Sequence, residues 1–222
     1  MATKQLEKRQ KRRPAGGASG RAAKAEAPYH HGSLHEALLK AAEIILERDG
    51  LQGLTLRAAA REAGVSHAAP THHFGDMSGL LSELAAAGFR KLGATLAAAA
   101  AKEASPTGRM DAMGEAYVAF AREHPSMFLL MFRSERLDHE RPALREAMQN
   151  ASGMLMRGAS ERRGDSAQTA PPLALLADIV RAWSMVHGFA MLLIDHRLEP
   201  MLSHLPKGMD ANDLLRAMIR AK

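Results

Sequence analysis

One glycine restricts this chain more than any other residue. In the stretch Leu54 to Phe74, LTLRAAAREAGVSHAAPTHHF, a helical pattern runs into Gly64 and a second one follows it. Thr55 is suited to cap the first helix, and Leu56, Ala59, Ala60 and Ala63 then share one face. Gly64 suits a left-handed C-terminal turn because it has no Cβ to clash. Val65 bridges, and Ser66 is placed to cap a second helix starting at His67. Helix, three-residue turn, helix is the spacing of a helix-turn-helix, which places its second helix in a DNA major groove. An ordinary helical hairpin has the same spacing, so the rest of the chain has to decide.

The remainder reads as helical too. Alanine and leucine dominate, β-branched residues are few, and aromatics make up 4% of the 222 residues. That length allows one large domain or two small ones. There is no cysteine, which excludes disulfides and thiolate metal sites. No segment reads as a signal peptide or a membrane span, so the expectation is a cytoplasmic protein.

Charge divides the chain unevenly. Residues 1–27 hold eight Lys or Arg against Glu7 and Glu26, which accounts for the whole formal excess of +6. This segment, poor in large apolar residues, is expected to be a disordered basic tail. It is either a solubilising tail or an arm that follows phosphates. Residues 28–76, by contrast, carry four Lys or Arg against six acids.

Along the chain, Ser33 and Glu36 form a capping-box pattern ahead of Leu34, Leu38, Ala41 and Ile45, and this helix should end near Gly50. Asp76 can cap a long fourth helix reaching about Lys102. On it Leu81, Leu84, Ala85, Leu92 and Leu96 share a face with Gly88, where a neighbouring helix could approach closely. Ser105 to Gly108 breaks the pattern. A fifth helix stops before Pro125, a short sixth carries Met127, Phe128, Met131 and Phe132, and Pro142 opens a seventh with Leu144, Met148, Ala151 and Leu155 as its core stripe. Arg162 to Gln168 reads as a polar loop. The eighth, about Pro172 to Asp195, is apolar all round, so one chain would cover only part of it. His196 to Gly208 reads as a loop, and Asp210 begins the last helix. The expected fold is all-α with about nine helices: a helix-turn-helix domain over 28–78 and a helical domain over 79–222. Paired helices at 172–195 and 210–220 would form a four-helix dimer interface.

PYHHGSLHEALLKAAEIILERDG followed by LTLRAAAREAGVSHAAPTHHFGDMSGLL resembles the N-terminal domain of the TetR-like bacterial regulators, over about Tyr29 to Leu92. WSMVHGFAMLL, with Trp183, His187 and Gly188, resembles a Trp-His-Gly signature of one branch of that family. The resemblance implies an all-helical homodimer that binds a palindromic double-stranded DNA operator and holds a small-molecule pocket in its C-terminal domain. The sequence departs from the family at two positions. Relatives carry an aromatic, often Tyr, where Thr71 stands, and a Lys where Met77 stands. The basic tail is then the source of the missing phosphate attraction.

Candidate DNA-binding residues are Thr55 and Arg57 near a helix N-terminus, where backbone N–H groups favour phosphate, and Ser66, His67, Ala68, Thr71, His72 and His73 on the recognition helix. Pro70 forfeits a backbone hydrogen bond, so this helix should be short or tightened at its start. Phe74 reads as core. In the second domain, methionines either fill an irregular core or line a deformable cavity. Tyr117, Phe120, Phe128, Met131, Phe132, Trp183 and His187 are the candidate pocket residues, and the expected effector is small and hydrophobic, such as a fatty acyl or aromatic compound. Trp183 and His187 could equally be a fixed packing signature between helices. His30, His31 and His35, and His67, His72 and His73, are close in sequence, but their spacing assigns no metal site. No catalytic motif occurs, so neither enzyme nor cofactor is expected. The competing function is an effector-independent DNA-binding regulator or architectural protein.

Overall fold

The computed structural model describes residues 31–133, 135–164 and 171–221, the side chains of 31–33 and 133 excepted. The basic segment 1–27 and the Ser33 side of the expected capping box lie outside the described residues, as do 165–170 of the expected polar loop. Among the described residues there is no strand, and there are ten helices.

The first three helices follow from local chemistry. Helix α1, His31–Gly53, is interrupted at Gly50, whose φ of 70° and ψ of −176° only glycine adopts cheaply. Helix α2, Leu56–Glu62, starts where the Thr55 hydroxyl accepts the Ala58 N–H at 3.0 Å. It turns at Gly64 with φ 67°. Helix α3 is short, as Pro70 implies, but it starts later than expected. It spans Ala69–Phe74 rather than starting at His67, and its cap is Ala68 with no side-chain bond, so Ser66 is not the cap. Pro70 explains the shift. A proline is tolerated in the first turn, where its missing N–H is unpaired anyway, and the helix therefore begins one residue before it.

Helix α4, Met77–Ala100, is capped by Asp76, whose Oδ1 accepts the Gly79 N–H at 2.8 Å. Helix α5, Pro106–Glu123, reaches further toward its N-terminus than the sequence pattern implied. Ser105 accepts the Gly108 N–H at 3.0 Å and Pro106 occupies the first turn, so the expected break is the cap itself. Helices α6, Pro125–Arg133, and α7, Pro142–Arg163, both open on a proline, and α7 ends at Gly164 with φ 71°. Helix α8 is Leu173–Ile194. The loop expected after it contains a one-turn helix, α9, Glu199–Leu202, preceded by buried Leu198. That turn brings the count to ten instead of nine. Helix α10, Ala211–Arg220, starts with a capping box between Asp210 and Asp213.

Leu38, Ile45, Leu46, Leu54, Ala59 and Phe74 bury themselves against Leu80, Leu81 and Leu84 of α4. The rest of α4 packs against α5, α6 and α7, so one helix belongs to both cores. Its glycines mark the tight places. A Cβ on Gly88 would lie 2.7 and 2.8 Å from the sulfurs of Met131 and Met127, which is how α6 crosses so closely. By length and composition alone α8 is long and apolar enough to cross a membrane, with a mean hydropathy of 1.3, and Asp178 and Arg181 lie within it.

Two helical glycines should respond with opposite sign to the same substitution. A Cβ on Gly79 would collide with the Phe74 carbonyl oxygen and sit 2.6 Å from an Arg141 nitrogen. Backbone cannot move aside, so Gly79→Ala should lose about 1–3 kcal/mol in urea unfolding. Gly93 meets nothing closer than the Met154 sulfur at 3.7 Å. There Gly93→Ala should gain about 0.5–1 kcal/mol.

Candidate functional site

Helix α3 separates its residues into an anchoring side and an outward side. Pro70 and Phe74 are buried, while Ser66, His67, Ala68, Thr71 and His72 are exposed along one edge. Arg57 is exposed on α2, and the Thr55 hydroxyl is spent on its cap. His73 is half-buried and turns toward α1, its ring 6.0 Å from that of His35, which in turn lies 4.9 Å from Phe74. It therefore sits apart from the outward edge, because helical spacing rotates it toward α1. Met77, at the start of α4, is half-buried. No group of three or more His, Asp or Glu converges on a metal position among the described residues.

Behind this edge, the start of α4 is tied to the segment between α6 and α7. Ser82 is fully buried. Its hydroxyl donates to the Ser78 carbonyl and accepts the Asp138 N–H, both at 2.8 Å. The Ser78 hydroxyl donates to the Arg136 carbonyl at 2.8 Å, and Arg141 donates to Glu83 at 3.0 Å. Together these bonds fasten residues 136–141 to the first turns of the helix that follows α3.

Beyond them lies a cavity of about 770 Å³ bounded by α4, α5, α6, α7, α8 and α10. Phe89, Leu92 and Leu96 wall it on α4, and seven methionines line it: Met110, Met113, Met131, Met148, Met156, Met185 and Met218. Of the seven residues expected there, Tyr117, Met131, Phe132 and Trp183 are on the wall. Phe120, Phe128 and His187 are not. Phe120 and Phe128 are buried in the core, and His187 stands behind the wall with its ring 5.5 Å from Phe128 and 4.9 Å from Phe132.

Tyr117 joins the two residues of the Trp-His-Gly stretch. Its oxygen is 2.8 Å from His187 Nδ1 and accepts the Trp183 Nε1–H at 3.4 Å. Burial pushes the Tyr117 hydroxyl up, with the Trp183 bond acting the other way, so the phenol stays protonated. It donates to His187 Nδ1 when the neutral imidazole carries its proton on Nε2. No buried side-chain nitrogen or oxygen among the described residues lacks a partner. The wall therefore asks no hydrogen bond of a ligand at this end.

The polar lining was not legible in the sequence. Asp111, His139, Arg145, Gln149, Ser152, Arg162 and Arg181 all reach the cavity. Burial pushes the Asp111 carboxyl up, against the pull of Arg162 and Arg220. None of these positions is apolar, and only the packing of α5, α7 and α8 brings them to one hollow.

Comparison with known proteins settles what kind of molecule this is. A family model described as "Tetracyclin repressor-like, C-terminal domain" matches residues 110–221, and "Bacterial regulatory proteins, tetR family" matches residues 38–84. The chain belongs to the TetR family. It is a DNA-binding transcriptional regulator, not an enzyme. Among solved structures, a protein of unknown function from Rhodococcus sp. RHA1 is 36% identical, with a TM-score of 0.69 over 87% of this chain and 95% of that one. The TetR family transcriptional regulator PfmR from Thermus thermophilus shares the fold at 20% identity and TM-score 0.54, over 82% of this chain and 94% of its own. FadR from Bacillus subtilis, solved in complex with stearoyl-CoA, shares it at 10% identity and TM-score 0.60, over 83% and 95%. No curated protein matches the chain.

Removing the Ser82 hydroxyl leaves the Asp138 N–H without its side-chain acceptor. Ser82→Ala should therefore lower stability by about 1–3 kcal/mol in chemical denaturation. Tyr117→Phe, beside the half-exposed Trp183, should cost about 1 kcal/mol and change the emission of that single tryptophan.

Proposed function

We propose that this TetR-family regulator is a homodimeric repressor that binds a palindromic operator and is released by a small apolar effector. The observation that carries the reading is the division of labour in α3. Pro70 and Phe74 hold the helix down, and Thr71 and His72, with Ser66, His67 and Ala68 ahead of them, face outward. A buried anchor with a polar outer edge is what major-groove reading needs. In this reading Arg57, with the backbone amides around Thr55, takes phosphate, and the DNA-binding domain is 28–78. The helices α8 and α10 pair two copies so that two α3 helices lie about 34–36 Å apart, one DNA turn. A cytoplasmic location goes with binding the chromosome.

The effector reading rests on the cavity. A solidly packed second domain would have favoured the effector-independent alternative, whereas about 770 Å³ of methionine-lined space suits an adaptable apolar ligand. The route from cavity to DNA is short. His139 and Arg145 reach the cavity, and the 136–141 segment beside them is bonded through Ser82, Ser78 and Glu83 to the start of α4. Gly79 on that turn lies against the Phe74 carbonyl of α3. A ligand that shifts the segment tilts α4 and changes the separation of the two α3 helices. Operator and effector must then weaken each other by the same factor.

Selection from a random duplex pool should return an inverted repeat, and recovery of no common sequence would remove the operator reading. On the selected site, His72→Ala should cost about 1–3 kcal/mol while hardly changing binding to unrelated duplex. Deleting residues 1–27 should act in the opposite manner. It should weaken binding to all duplexes and flatten the dependence of log Kd on log salt by roughly two units or more, since each phosphate contact contributes about 0.9. An unchanged slope would remove the tail from the mechanism.

A further inference from the structure

The cavity is long, and its charged residues stand at its two ends. Arg145 and Arg162 both reach it from α7, and at about 1.5 Å of rise per residue they lie about 26 Å apart along that helix. Between them Met148, Leu155 and Met156 of the same helix make apolar wall. At the end away from residues 136–141, helices α5, α7 and α8 bring Asp111, Arg162 and Arg181 to the wall. The neighbouring arginines are already engaged. Arg109 donates to Glu161 at 3.0 Å, Arg163 donates to Asp178 at 2.7 Å, and Arg181 reaches the other Asp178 oxygen at 3.5 Å. Arg162 is half-buried, and among the described residues it has neither a hydrogen bond nor a close ion pair. It acts on Asp111 only through space, as does Arg220 of α10. Glu103 and Glu115 also act on Asp111, but neither lines the cavity, and Glu115 accepts from Arg216 at 3.1 Å. A cation in a last helical turn complements the helix dipole, which an exposed side chain does equally well. A partly buried guanidinium without a partner is the less stable arrangement, and an incoming anion offsets it.

Resting on the apolar-effector reading above, we propose that the effector is an amphipathic acid, with an elongated apolar body along the methionine-lined length of the cavity and one carboxylate on Arg162, beside Arg181. The charge of the wall selects a single acid group. Arg162 and Arg181 stand against Asp111, and Asp178 already answers part of Arg181. Burial pushes the Asp111 carboxyl up, which weakens its competition for Arg162. A planar guanidinium matches a carboxylate through two parallel N–H···O bonds. A short acid would leave the methionine-lined length unfilled, and a neutral hydrocarbon would leave Arg162 without a partner. The opposite end is less suited to the acid group, because Arg145 there already donates to Glu140 at 3.3 Å.

The test uses the full chain and two fluorescent probes that differ only in charge, cis-parinaric acid and its methyl ester. Trp183 is the only tryptophan and lines the cavity, so energy transfer from it reports occupancy by either probe. The acid should bind wild-type protein about tenfold more tightly than the ester, as a charge-assisted hydrogen bond implies. Arg162→Gln should remove that preference, weakening the acid about tenfold. It should leave the ester within about twofold, which also shows that the cavity is intact. Arg157→Gln takes the same charge from an exposed position of α7 outside the cavity, and should change neither affinity. Wild-type protein that binds both probes equally overturns the inference without recourse to any variant, and leaves the apolar effector standing. An acid that keeps its affinity in Arg162→Gln, or loses it equally in Arg157→Gln, does the same. So does a loss found with Arg145→Gln in place of Arg162→Gln, which seats the carboxylate at the other end. Wild-type protein that takes up neither probe overturns the apolar-effector reading, and this inference with it.

Discussion

The hydroxyl of Ser82 holds the two halves of this molecule in one register. It is fully buried on α4, and it satisfies a carbonyl of its own helix and the Asp138 amide of a distant segment. A buried polar group with both partners met is stabilising, and the same group with one partner lost is costly, so the arrangement behaves as made or broken. Around it, Ser78, Glu83 and the contact between Gly79 and Phe74 add further attachments to the same two turns. Helix α3 and the segment 136–141 beside the cavity are therefore both held to the first turns of α4.

The cavity is soft where the clamp is stiff. Its methionines have three rotatable bonds each and repack at little cost. The aromatic group beside it is fixed by Tyr117, which holds Trp183 and His187 through one oxygen. The Trp-His-Gly stretch thus serves helix packing on its inner side, while the indole of Trp183 forms wall. Trp183 bonds inward to Tyr117, lines the cavity and leaves part of its indole on the exposed face of α8.

The proposed reading divides the work of binding DNA by charge. Residues 28–76 carry more acids than Lys and Arg, so the helix-turn-helix has little general attraction for phosphate. Thr71 and His72 are short polar groups suited to choosing among base edges. On the proposed reading, general affinity falls to the basic segment 1–27, which carries the chain's entire net charge, and specificity falls to the helix-turn-helix.

The helical class, the helix-turn-helix and several helix starts are written in local sequence. Thr55, Asp76 and Asp210 each accept backbone N–H groups within three residues, and Gly64 adopts a left-handed turn. Such signals are legible because both partners lie within one turn of chain. Pro70 was legible in its effect but not in its consequence, since the helix moved its start to accommodate it. The role of Ser82, the inward turn of His73, the bond from Tyr117 to Trp183 and His187, and the polar residues of the cavity come from tertiary packing alone. Ser82 and Asp138 are 56 residues apart, and Tyr117 and His187 are 70 apart. No periodicity encodes which faces of separate helices meet. Crossing geometry, made possible by close approaches such as that at Gly88, settles it.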